Sequence, residues 1–332
     1  MKKTMFYLIF ILILFSSVQL FAYESYQLTR LRNNTVPQWN RWRQMYPNIK
    51  IDLSNARIPN KRRLSGVNLS GANLRGSNFQ SCIMNNANLS GADLTSANLR
   101  FGQIKNSNLT NAILYRTNLF KARLNGSNLT NANLKKANCI TAKFRDGNLT
   151  RAQFDRHTNL LRAYFERATL IEAKFNGTNL TTAKFNTNNF TNSELISVNL
   201  TGQNFQWKNM TFESVVFFKA NLTRVNFSGL NLKSAILICA NLHTTKFRGT
   251  DLRYANLQGA TNFRTGNGRF KFRGAKVNNM KVYRGHRRYL DKPGDDRFMF
   301  GNVKIYYCSN HCPRSYNHRY KQRMTTNTCY GN

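Results

Sequence analysis

An apolar residue returns every five positions from Leu64 to Leu257, and this period excludes most folds open to a chain of 332 residues. Leu64, Leu69, Leu74, Phe79, Met84, Leu89, Leu94 and Leu99 follow one another without a slip. The beat continues through Ile104, Leu114, Leu124, Leu134, Cys139, Phe144 and Phe154, gains one residue near His157 and resumes at Leu160. It then runs to Met210, where a second reset of two residues is expected at about Met210–Phe212, and ends through Phe217, Leu237 and Leu257. An amphipathic helix repeats its apolar residues at three and four, and a half-buried strand at two. A period of five fits neither, so the chain must turn after every unit and stack those turns into a solenoid.

Each apolar centre tends to follow a small residue and then Asn or Asp, as in Ala72-Asn73-Leu74, Ala92-Asp93-Leu94 and Ala97-Asn98-Leu99. This pattern resembles the pentapeptide-repeat family, whose motif is A-(D/N)-L-x-x, over about two thirds of the chain. The resemblance implies an all-β fold, a right-handed quadrilateral β-helix with about four pentapeptides per coil. The central Leu or Phe and the small residue two before it would point inward, and the other three positions outward. Residues 20 apart would then stack at roughly 4.8 Å. On that map Phe144, Phe165, Phe185 and Phe205 form one interior column, with Phe154 and Phe175 on the opposite wall. Cys82 falls at a small inward position and Cys139 at a centre, so both should be buried thiols. The recurring Asn-Leu-Thr and Asn-Leu-Ser, as at Asn108 and Asn128, follow from the period and need no glycosylation.

The flanks have other compositions. Residues 1–22 run from Lys2-Lys3 through the apolar Met5–Phe15 to Ala22, the order of a signal peptide, and imply export. Residues 23–50 are expected to form an N-terminal helical cap, with Thr35 and Pro37 opening a helix that carries Trp39, Trp42 and Tyr46. Such a cap would cover the unpaired backbone at the end of the β-helix of residues 51–262. Trp207, just before the second reset, is placed to cover a bulged coil. Residues 263–332 are basic and aromatic, contain three of the six cysteines, and read as a small C-terminal β-rich module.

Lys and Arg number 50 against 13 Asp and Glu, a formal net charge of +37. A surplus of this size points to polyanionic partners and says nothing of the fold. Arg116, Lys136 and Arg156 should share one corner on successive coils as a basic ladder, and Lys61, Arg62 and Arg63 sit together near the first coil. Arg284, Arg287 and Arg288 flank His286 in the tail as a further anion-binding group. Mimicry of DNA, by which some members of the family bind DNA gyrase, needs an acidic surface, and this chain has the opposite sign. The pattern Cys308-x-x-His311-Cys312…His318…Cys329 matches no standard zinc spacing, and an oxidising compartment favours a disulfide. Two of Cys308, Cys312 and Cys329 would pair, leaving the third for Cys239 or another chain. No nucleophile, base and orienter assemble at a known spacing, so no catalytic residue, metal or cofactor is expected. The expectation is an exported, non-enzymatic scaffold in the periplasm, on the cell surface or secreted. It would contact an anionic polymer or a membrane surface through its basic coat. The alternative is a secreted factor that binds a protein partner through the C-terminal module.

Overall fold

The computed structural model describes residues 26–205, 209–262, 275–276, 281–283, 306–308 and 329–331. The leader, Trp207 and the tail anion and zinc-pattern residues Arg284, Arg287, Arg288, His311, Cys312 and His318 lie outside them.

The coils form a four-sided β-helix whose walls are parallel bridges between residues one coil apart. One wall runs Asn68, Asn88, Asn108, Asn128 and Asn148, each bridged to the next. Most pentapeptides close with a turn in which the N–H of the small residue donates to the carbonyl of the preceding centre, as from Ala72 to Leu69 (3.2 Å) and Ala92 to Leu89 (3.1 Å). The residue two after most centres takes a left-handed φ, for example Ser96 at 58° and Asn111 at 59°. The Asn or Asp before the centre has a local reason as well. Its Oδ1 accepts the N–H two residues on, from Ser90 to Asn88 (3.1 Å) and from Thr110 to Asn108 (3.0 Å), an Asx turn that helps the chain round the corner. The small residue is set by close packing, and where it is Ser or Thr its hydroxyl bonds a carbonyl either of its own repeat, as Ser77 does to Leu74 O at 2.6 Å, or of the coil below. Thr117 Oγ1 donates to Leu94 O at 2.7 Å and Ser127 Oγ to Ile104 O at 2.6 Å.

The interior matches the stacked columns expected from the period. Phe144 and Phe165 stack at 5.1 Å, Phe165 and Phe185 at 5.4 Å, and Phe154 and Phe175 on the opposite wall at 4.6 Å. The two columns meet edge to face, Phe154 against Phe165 at 6.1 Å. Phe205 departs from this order, tilted by 59° against Phe185. The column then resumes through Phe227 and Phe247, stacked at 5.7 Å. Cys82 and Cys139 are free and buried, as expected.

The slips appear as changes in offset. Asn133 bridges Gln153, 20 residues on, but Asn138 bridges Asn159, 21 on, so one residue enters near His157. There the wall forms its two regular strands, β1 (Gln153–Asp155) and β2 (Lys174–Asn176), paired in parallel. The second reset differs from the expectation. Asn189 bridges Thr211 and Phe190 N donates to Thr211 O, so the centre above Phe190 is Phe212. Met210, buried at 4 %, therefore occupies the small inward position, and the extra residues enter between Phe205 and Met210. Its apolar side chain kept the five-residue beat by coincidence. A further slip opens the rod: Arg57 bridges Asn78 at 21 and Arg63 bridges Ile83 at 20.

The cap is two helices. The first, α1, is described over residues 26–33, and the second, α2, spans Val36–Met45. Thr35 caps α2 in a box with Gln38, whose Oε1 accepts the Thr35 N–H at 2.9 Å. Trp39 and Trp42 are buried and in contact at 5.2 Å. The open edge of the first coil is satisfied by side-chain amides set like a missing strand. Asn40 donates to Gly66 O (2.8 Å) and accepts from Asn68 N (2.9 Å), while Gln27 donates to Lys50 O (3.1 Å) and accepts from Asp52 N (2.8 Å). Trp39 Nε1 donates to Asn68 O at 2.8 Å.

Beyond Asn262 the described residues form a three-stranded sheet of β3 (Lys281–Tyr283), β4 (Tyr306–Cys308) and β5 (Cys329–Gly331). β3 and β4 are parallel, and β4 and β5 antiparallel with Cys308 opposite Cys329. Lys276 bridges Asp251 and so returns to the wall of the rod.

Candidate anion-binding surface

The corners bring the surface charge together. Arg116 and Lys136 hold the same left-handed corner on successive coils, with φ of 57° and 58°. Both cations lie 5.3 Å from the ring centroid of Tyr115. The neighbouring Lys136 ammonium, with Arg116, holds the Tyr115 phenol below its ordinary pKa. Arg156 extends this edge only in part. It sits at the slip, outside the left-handed corner, and its Nε donates to His157 Nε2 at 3.2 Å. The ladder is thus a pair with a displaced third member, because the inserted residue turns the backbone away.

The N-terminal triad divides. Lys61 and Arg63 are exposed, but Arg62 donates from Nη2 to Asn34 O (3.0 Å) and Leu31 O (3.4 Å) at the end of α1. A guanidinium engaged with the last carbonyls of a helix holds the cap, so Arg62 leaves the anion-binding set.

A second cluster lies beyond the period's reach. The Arg100 guanidinium sits over Phe101 (4.6 Å) and Phe120 (4.9 Å), and Lys121 Nζ over Phe120 (5.1 Å). The two rings meet edge to face at 5.6 Å, and Phe101 is 38 % exposed. The signal was present in the sequence: Phe101 and Phe120 fill outward positions that in most other repeats hold Gly, a polar residue or a charge.

Charge pairing separates this region from the rest of the rod. From residue 94 to 145 the chain has nine basic residues and no acidic one. Only Arg145, at its border, forms an ion pair among the described residues, with Glu166 at 3.0 Å. Just beyond, acids answer the cations: Arg167 meets Asp146 at 2.6 Å, Arg151 meets Glu172 at 2.6 Å and Lys174 meets Glu194 at 3.1 Å. The corner cations also carry a conformational cost. A left-handed φ suits Gly or Asn, and other residues pay for it. Arg116, Lys121 and Lys136 occupy such corners with no backbone reason to do so.

A cavity of 550 Å³ opens beside the second slip, lined by Thr181, Lys184, Phe185, Gln203 and Asn204 among others. Among the described residues its lining holds one cation and no acid. Among the described residues no group of three or more His, Cys, Asp or Glu could hold a metal ion, and no helix is long and apolar enough to cross a membrane.

A family model described as pentapeptide repeats matches in eight copies, covering residues 63–111, 122–186 and 216–261. No curated protein matches the sequence. Among solved structures the chain is similar to HetL, a pentapeptide repeat protein involved in heterocyst differentiation regulation in the cyanobacterium Nostoc, at 23 % identity over 73 % of this chain and 95 % of that one, with a TM-score of 0.38. It is also similar to Rfr23 from the cyanobacterium Cyanothece, at 24 % identity over 36 % of this chain and 96 % of that one, with a TM-score of 0.33. QnrB1, a plasmid-mediated fluoroquinolone resistance protein, matches at 14 % identity over 72 % and 94 %, with a TM-score of 0.25.

Proposed function

The chain belongs to the pentapeptide repeat family, and from that premise we propose that it is an exported, non-enzymatic scaffold that binds an anionic polymer or surface. In this reading the rod is right-handed, the tail is a β-rich module, and the residue 94–145 band is the principal contact. The observation that carries it is the absence of any acid from that band, against nine cations. Cations on adjacent coils, about 5 Å apart, repel by roughly 0.8 kcal/mol each even at the dielectric of water. A polyanion lying across the coils relieves that repulsion and releases its own counterions. The rings of Phe101, Phe120 and Tyr115 add apolar contact between the charges. The positive band also argues against mimicry of DNA.

Binding to lipopolysaccharide, anionic vesicles and duplex DNA over a salt series tests this. A triple reversal, Arg116→Glu, Lys121→Glu and Lys136→Glu, is compared with Arg224→Glu, Lys246→Glu and Arg248→Glu, an equal charge change on exposed residues outside the band. The band variant should lose most of the affinity and flatten the salt slope, and the control should lose little. Equal losses would reduce the charge to a diffuse coat, and no binding at physiological salt would turn the search to a protein partner of the tail.

A further inference from the structure

One wall of the rod changes character along its length. Beside the centres Leu94, Leu114 and Leu134 the outward-facing neighbours are Asp93 and Thr95, Ile113 and Tyr115, and Asn133 and Lys135, none of them fully buried. Beside Phe217 and Leu237 they are Val216 and Phe218, then Ile236 and Ile238. Val216, Phe218 and Ile238 are 2 %, 2 % and 0 % exposed. They form an apolar cluster separate from the interior, with Ile196, Ile236 and Cys239 packed against it. An outward side chain on a four-sided coil can be buried only by chain from outside the coils.

Cys239 adds a covalent mark on the same wall. It turns the corner after Leu237 with φ of 56° and is disulfide-bonded. Cys82 and Cys139 are free, which leaves Cys308, Cys312 and Cys329. Cys308 and Cys329 stand directly opposite in the antiparallel β4–β5 register. Opposed residues of such a pair have Cα atoms about 4.5–5.5 Å apart, within the range a disulfide spans.

We propose that the C-terminal segment, residues 277–332, is seated on this apolar wall and clamped there by a Cys239–Cys312 disulfide, while Cys308 and Cys329 bridge the β4–β5 hairpin. The return of the chain to the rod at Lys276 starts the segment beside the wall it covers. Clamping gives the segment, with 11 basic and 3 acidic residues, a fixed place on the rod.

Peptide mapping of the full-length protein decides the pairing. The protein is alkylated while folded, alkylated again with a distinguishable reagent after denaturation, and digested without reduction. Linked peptides 239–312 and 308–329 are expected, with Cys82 and Cys139 taking only the second label. A link from Cys239 to another copy of the chain, to Cys308 or Cys329, or an unlinked Cys239, would overturn the clamp. Seating is read separately with Phe218→Asp and Ile238→Asp, both outside the coil interior. Limited proteolysis within residues 277–332 should speed up several-fold in these variants while the melting of the coils is retained. Unchanged cleavage would overturn the seating.

Discussion

At the scale of the residue, the left-handed corner is the recurring demand, and glycine positions separate its two components. Gly71 has φ of 65° with nothing within 4 Å of an added Cβ. Gly177 has φ of 73°, and a Cβ there would meet the Arg156 Cβ at 2.9 Å, because the extra residue near His157 pushes that backbone outward. Gly71→Ala should therefore cost about 1 kcal/mol, the left-handed penalty alone. Gly177→Ala should cost about 1–3 kcal/mol more, since the crowding atom is a Cβ next to backbone and cannot swing away. Chemical denaturation of both variants measures the difference, and equal costs would mean that the slip is soft enough to absorb a methyl group. The period showed that a residue was inserted near His157. It could not show which neighbour the insertion would crowd, because that contact lies one coil away.

At the scale of the element, the legible and illegible parts divide by the same logic. The interior was readable because each inward position is repeated and the family resemblance implies four pentapeptides per coil: the columns of Phe144 and Phe154 then follow from counting 20. The helix of Trp39 and Trp42 was readable from its cap residues and spacing. The pairing of Asn40 with the coil edge was not, since a single polar residue carries no periodic signal. Arg62 misled for the same reason: beside Lys61 and Arg63 it reads as charge, and only the packed cap shows its guanidinium on α1. Met210 misled in the opposite sense, by sustaining a period that the backbone had already left. Asn40→Leu tests the edge reading. It removes both bonds to the Gly66–Asn68 strand edge while keeping volume, and should destabilise by about 1–3 kcal/mol. Amide exchange should rise at Asn68 and in the coil behind it. Unchanged protection would mean that α2 is held by its Trp residues alone.

At the scale of the whole molecule, few acids stand among many cations, so acid should act twice. The Arg167 guanidinium bonded to Asp146 holds that carboxyl below its ordinary pKa. Burial pushes Asp93 upward, but its hydrogen bonds with Thr95 and its pairing with Arg75 outweigh this and leave it lowered. A carboxyl whose folded pKa is depressed contributes stability above its unfolded value, about 3.9, and loses it as pH falls through the folded value. Melting temperature should therefore be flat from about pH 5 to 8 and fall below about pH 4. Protonation also removes 13 negative charges from a chain already at +37, so repulsion rises over the same window. Salt separates the two effects. Raising ionic strength from 0.1 to 1 M shortens the screening length from about 10 to 3 Å, which quiets repulsion between corners but does not restore a protonated Asp146 to Arg167. Melting at pH 3 should recover in part with salt, and short of its neutral value. Full recovery would assign the acid loss to net charge alone, and no recovery would place it in the carboxylate contacts.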